Sequence, residues 1–232
     1  MTPFRSTPAG YVATWEPVER EVLARVARDV AGLLSADSGL PDDAAEAEVA
    51  FTGVARVPRD PAVQRLLPDA HREDAEAAAE FRHLTQTDLA AGKVARLHAF
   101  AETVDPSTEP VTDAGDGDQV LVARDDAQDF AAALTDVRLV LAERLGLDDD
   151  ADVEHLHTEV LAGLGPEQDE DDLYPADDDP DADDDPDADD EAAAMDTEQR
   201  VYWGGVFVAA GFAQESLMDE LLADLRARRS AG

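Results

Sequence analysis

The chain has 232 residues, enough for one domain or one domain with a tail. Its 55 acids against 18 bases give a net charge of −37, a field that repels phosphate and disfavours a nucleic-acid partner. With no cysteine it has no disulfide, no thiolate chemistry and no Cys-ligated zinc or iron–sulfur cluster.

Phe4 to Trp15 reads as a β-hairpin: Pro8-Ala9-Gly10 is a turn signal, and Tyr11, Val12, Thr14 and Trp15 favour strand. Glu16-Pro17 fits a helix start, because proline needs no N–H in the first turn. Val18, Val22, Val26, Val30 and Leu33 then predict one apolar face up to about Leu34. Residues 35–50 are acidic and hold Gly39-Leu40-Pro41, a loop. Asp60-Pro61 predicts a short helix ended by Pro68. Asp74 opens the next helix, with Phe81 and Leu84 on its apolar side. Thr85-Gln86-Thr87-Asp88 offers a cap for a fresh helix through Leu89, Val94, Leu97 and Phe100.

Residues 105–118 carry Pro106, Pro110, Gly115 and Gly117 and read as a loop. Val120 to Ala123 is a strand candidate and a third partner for the hairpin. Asp125 or Asp126 should cap a strong helix with Phe130, Leu134, Val137, Leu141 and Leu145 on one face and Gly146 at its end. A weaker helix is expected over residues 152–164. Residues 167–191 hold 16 of the acids and no base, with DDDPDA twice in succession, which predicts disorder. Outside that run the remaining 39 acids still outnumber the 18 bases, so the body is acidic as well. The last helix should run from about Met195 to Arg229, with Trp203, Val206, Phe207 and Phe212 in the core; Gly204, Gly205 and Gly211 permit close approach of another helix.

The expected fold is mostly α with a small β element (α+β): a helical core with an N-terminal β-hairpin, extended to a three-stranded sheet if residues 120–123 pair with it. Residues 1–164 and 195–229 would form a single helical domain, with a disordered Asp-rich linker at 165–194. Met1 to Gly10 lacks the apolar run of a secretory signal. The longest uncharged stretch, Val201 to Gln214, is shorter than the roughly 20 residues a membrane span needs. A cytoplasmic, non-membrane protein is therefore expected.

Chemistry-bearing motifs are sparse. His155 and His157 are spaced i,i+2, which places them on different faces of a helix and does not make a metal pair. No nucleophile motif surrounds His71, His83 or His98, and Asp113, Asp116 and Asp118 lack the pattern of a calcium loop. No catalytic, cofactor or metal residue is assigned. The two helices expected around residue 85 admit a helix-turn-helix reading, with Lys93 and Arg96 the only bases on the second. Polar residues inside apolar helices remain: Glu80 and Arg82, Asp136 and Arg138, Gln214 and Glu215, with Arg65 and Asp69 nearby in the pattern. If buried they must pair, since an unpaired buried charge is costly. These eight form the candidate polar network or partner site, read either as an Arg–carboxylate bridge between helices or as a ligand site.

Several segments together are similar to a known family. Asp60-Pro61-Ala62-Val63, Arg65 to Ala70, and Glu80-Phe81-Arg82 with Leu84-Thr85 make a first block. Leu134, Asp136 to Leu139 and Arg144-Leu145-Gly146 make a second, and Tyr202-Trp203 with Gln214 to Leu217 a third; Phe4-Arg5 and Gly10 fit the opening hairpin. They resemble the actinobacterial domain of unknown function DUF2017. The resemblance implies a regulatory protein, since some members are described as actinobacteria-specific oxidation-sensing regulators that switch through a cysteine pair and act with a sigma factor on stress genes. This chain has no cysteine, so the switch does not transfer. The leading expectation is a non-enzymatic regulatory or interaction protein, without cofactor, acting on a basic protein partner such as a sigma factor. The alternatives are an enzyme or small-ligand binder using the Arg–carboxylate cluster, and a direct DNA-binding regulator.

Overall fold

The structure is a computed structural model describing residues 1–38, 57–68, 75–108, 118–163 and 197–231, with the backbone alone at 75–84, 197 and 231. The elements are β1 (Arg5–Thr7), β2 (Gly10–Thr14), α1 (Pro17–Ser38), α2 (Pro61–Leu66), α3 (Ala75–Val104), β3 (Gln119–Val122), α4 (Ala127–Leu145), α5 (Asp150–Gly163) and α6 (Thr197–Ala231), with a 3₁₀ turn at Pro106–Thr108. Of the loops expected at 35–50 and 105–118, residues 35–38 instead form the last turn of α1, and 39–50 and 109–117 lie outside the described residues, as does the Asp-rich linker.

The three strands form one antiparallel sheet in the order β1-β2-β3, with Ser6 opposite Tyr11 and Val12 opposite Leu121. The sheet is therefore the hairpin plus the third strand that the sequence suggested. Gly10 is required here: its φ is +151°, and a Cβ would overlap the Val122 carbonyl oxygen. Strand alternation sends Tyr11, Ala13, Val120 and Val122 inward. The edge strand β1 is covered by α6, whose Ser216 Oγ accepts from Phe4 N (3.2 Å) and whose Glu220 carboxylate accepts from Ser6 N (3.1 Å). Satisfying edge donors with helix side chains removes a template for strand addition.

Helix α1 packs most extensively on α3, and α4 on α6. The apolar face of α1 is not the valine row expected. Val18 is 60% exposed and Val22 and Leu33 are half-buried, whereas Leu23, Ala24, Ala27, Ala31 and Leu34 are buried with Val26 and Val30. A strict i,i+4 row advances about 40° per step and winds off the seam, while small alanines let two helices approach. Arg20, fully buried in that seam, donates from Nε to the Val104 carbonyl (2.8 Å) at the end of α3. It supplies a donor and a cation to a helix C-terminus.

Helix α3 corrects a second expectation. Thr85 to Asp88 starts no new helix; the segment lies inside one continuous rod with Gln86 buried. It contains neither proline nor glycine, so the i→i−4 ladder continues through it. The helix-turn-helix reading thereby loses its turn. Leu89 is exposed, while Val94, Leu97 and Phe100 are buried as expected.

Helix α4 buries Phe130, Leu134, Val137, Leu141 and Leu145, and Gly146 ends it in the left-handed conformation (φ 65°). Asp126 precedes it but makes no side-chain cap bond. Helix α5 is capped reciprocally: Asp149 accepts from Asp152 N (3.0 Å), and Asp152 accepts from Asp149 N (3.2 Å) and also from Asp148 N (2.8 Å). Those backbone bonds hold the Asp152 carboxyl below its ordinary range. On α6, Val206 and Phe207 are buried and Trp203 is half-buried, but Phe212 is exposed. Gly204 seats α6 against α5, where a Cβ would lie 2.7 Å from Leu156. The aromatic centre of the core joins Phe4, Trp15, Phe100 and Phe130, with ring centroids 4.6–6.4 Å apart.

Candidate functional site

Helix α4 carries Asp136 and Arg138 two residues apart, hence on opposite sides. Asp136 enters the seam with α3. Its side chain is 2% exposed and pairs through Oδ1 with Lys93, the chain's single lysine. Arg96 stands 3.7 Å from the other oxygen and 3.2 Å from Asp129. A buried acid is thus held between two bases on one helix face, so the seam is charge-matched.

Arg138 enters the seam with α6. Gln214 donates from Nε2 to Thr135 Oγ1 and to the Ala131 carbonyl (3.2 Å), which turns its Oε1 toward Arg138 Nη1 at 2.8 Å. The guanidinium carbon lies 5.1 Å from the centroid of the Phe207 ring, a cation–π arrangement. Burial pushes Arg138 below the ordinary arginine value, opposed by the nearby Glu215 carboxylate. Nε is buried without a hydrogen-bond partner. The guanidinium borders an open cleft of about 510 Å³ between α4, α5 and α6, lined also by His157, Phe212, Gln214, Glu215 and Met218.

The eight residues singled out in the sequence therefore do not meet as one unit. Arg65 pairs with Glu143 and with Asp148 (3.1 Å), fastening α2 to the end of α4. Asp136 belongs to the α3 seam, and Arg138, Gln214 and Glu215 to the cleft. Asp69 lies outside the described residues, as do the side chains of Glu80 and Arg82 on α3. Sequence reasoning did not find the partners of Asp136, although an Asp within Leu134-Thr135-Asp136-Val137 required a base and the chain offers one lysine.

The chain matches the family model for the domain of unknown function DUF2017 over residues 1–221. It belongs to the DUF2017 family. No curated protein and no solved structure matches it.

A further polar cluster in this DUF2017 chain joins the sheet to α6. Asp224 accepts from the Tyr11 hydroxyl (2.7 Å), from Arg124 and from Ser6 Oγ, while Arg124 also donates to the Thr7 carbonyl (2.6 Å). Burial and the Asp224 carboxylate raise the Tyr11 phenol; the hydrogen bond from Tyr11 and the Arg124 cation lower Asp224. Tyr11, Arg124 and Asp224 lie 100 or more residues from one another, so no spacing announced the cluster. His155 pairs with Glu159 (3.2 Å) and His157 Nδ1 faces the Val153 carbonyl (2.7 Å). Among the described residues no group of three His, Asp or Glu could hold a metal ion, and no helix is long and apolar enough to cross a membrane.

Proposed function

We propose that this chain is a non-enzymatic regulatory protein that docks a basic protein partner through the C-terminal turns of α6. The carrying observation is an exposed apolar stripe on that helix: Met218 (41%), Leu222 (41%) and Leu225 (49%), spaced i, i+4, i+7. This is the anchor pattern of a helix recognised by a groove. An apolar stripe left exposed among the described residues, on a chain of net charge −37, suits a partner with an apolar groove and a basic rim.

The family's described regulatory role makes a sigma factor the first partner to test, in transcription control of a stress response. With no cysteine in the chain, binding would be constitutive, set by abundance and weakened by salt through screening. A pulldown against the sigma factors of the same cell, at low and high salt and with or without peroxide, tests this. Expected are salt-sensitive, peroxide-independent capture and its loss in Leu222→Glu/Leu225→Glu. Capture unaffected by that double substitution would remove the stripe from the reading, and no sigma-factor capture would remove the partner.

A further inference from the structure

Among the described residues, each half-buried lysine or arginine except Arg138 has a carboxylate within ion-pair distance: Arg65, Lys93, Arg96, Arg124 and Arg200. In a chain with three acids to every base, an unmatched half-buried cation stands out. Only Nη1 of Arg138 is hydrogen-bonded, and to a neutral amide. Removing a guanidinium from water without an anion is costly, and a carboxylate supplied from outside would offset that cost with charge-assisted bonds.

The surroundings narrow the anion. Gly211 lets the guanidinium lie close against α6, where a Cβ would stand 3.5 Å from Nε and 3.8 Å from Nη2; Nε is buried, and Nη2 is the unbonded nitrogen that solvent reaches. Phe212 and Met218 present apolar surface beside it. The amide of Gln214 is committed to Thr135 and Ala131, so one guanidinium is the principal donor. Glu215 on the rim and the charge of the whole chain oppose a polyanion. A cleft of about 510 Å³ has the size of a small-molecule site.

We propose that the cleft between α4, α5 and α6 binds a small monocarboxylate, its carboxylate held by Arg138 and its apolar body laid against Phe212 and Met218. The site shares Met218 with the exposed stripe of α6, but it does not rest on the docking reading, and its test contains no partner protein. ¹⁵N-labelled full-length chain is titrated with phenylacetate, phenylacetamide and inorganic phosphate while the Arg138 Nε–H signal, assigned by its absence in Arg138→Lys, is followed. Phenylacetate should move that signal saturably at millimolar concentration. Binding should weaken about tenfold or more for phenylacetamide and in Arg138→Met, because the charge-assisted pair is lost. Gly211→Leu, which keeps the charge but covers it and improves helix propensity, should weaken phenylacetate similarly without lowering Tm. Equal affinity for acid and amide, unchanged affinity in Arg138→Met, an unmoved Arg138 signal, or phosphate binding as tightly as phenylacetate would each overturn the proposal.

Discussion

Asp136 and Arg138 are near neighbours on one helix with opposite solutions to the same problem. Asp136 is the more deeply buried, yet Lys93 and Arg96 neutralise it from α3. Arg138 keeps partial contact with solvent and receives a neutral amide, an aromatic face and no acid within ion-pair distance. Charge compensation thus follows the seam and not overall composition: acids outnumber bases threefold, and still Arg138 has no acid within ion-pair distance. At Asp136 the α3–α4 seam is closed by Lys93 and Arg96, whereas at Arg138 the α4–α6 seam opens into a cleft. Substitutions on the two sides should therefore differ in kind.

The largest effect is expected at the closed seam. Asp136→Ala leaves the Lys93 ammonium, 13% exposed, without its acid, and should cost about 3–5 kcal/mol in urea melts. The double substitution Lys93→Met/Asp136→Leu should recover most of that loss, because apolar replacement of a buried pair is often near neutral. A double variant no better than Asp136→Ala would mean the pair contributes more than mutual neutralisation.

Phe207 and Phe212 sharpen the comparison within α6. Phe207 is 4% exposed under the Arg138 guanidinium, so Phe207→Ala should cost about 3 kcal/mol or more. Phe212, five residues on, lines the cleft from outside, and its truncation should cost less than about 1 kcal/mol. Similar losses at both positions would place the cleft inside the core.

The sequence foretold most of this scaffold where one physical signal dominated. Gly10 and Gly146 marked a turn and a helix end, and the four-residue rhythm from Phe130 to Leu145 marked the buried face of α4. It misled where two signals competed. The valines of α1 outweighed its alanines by size, but the alanines carry the close contact with α3. Thr85 to Asp88 resembled a cap, yet nothing in it interrupts a helix. For the candidate site, polarity within an apolar run correctly singled out Asp136, Arg138 and Gln214, but composition could not say which seam each enters. That depends on helix rotation, which is set by packing against α3 and α6 together. The Tyr11–Arg124–Asp224 cluster left no local trace at all.

Acidification should weaken the α1–α3 end of the molecule through Asp105. Hydrogen bonds from Ser107 and the Arg28 cation hold its carboxyl down at about 2. A carboxyl depressed on folding stabilises fully above its unfolded value near 4 and loses that contribution as pH falls toward 2. Asp105→Asn should therefore differ from the parent at pH 6 and converge on it by about pH 2, which urea midpoints across that range measure. The raised Tyr11 phenol has the opposite sign: its contribution is present below about pH 10 and is lost as pH rises through the folded value. Divergence of Asp105→Asn from its parent on acidification would assign the acid limb to other carboxylates.

The smallest effect is expected from the residue that is most conspicuous electrostatically. Arg138→Met removes a guanidinium whose burial is uncompensated by any acid within ion-pair distance, and it keeps an unbranched chain over the Phe207 ring. What is lost is one hydrogen bond to Gln214 Oε1 and a cation–π contact, about 1–2 kcal/mol together. What is gained is relief of the desolvation that holds the arginine below its ordinary value, which opposes that loss, so the net change should fall within about 1 kcal/mol. Set against the loss of several kcal/mol at Asp136, two residues away, near neutrality would identify Arg138 as a group kept for something other than stability. Chemical melts of Arg138→Met and Asp136→Ala side by side decide this, and comparable destabilisation would make both seams structural.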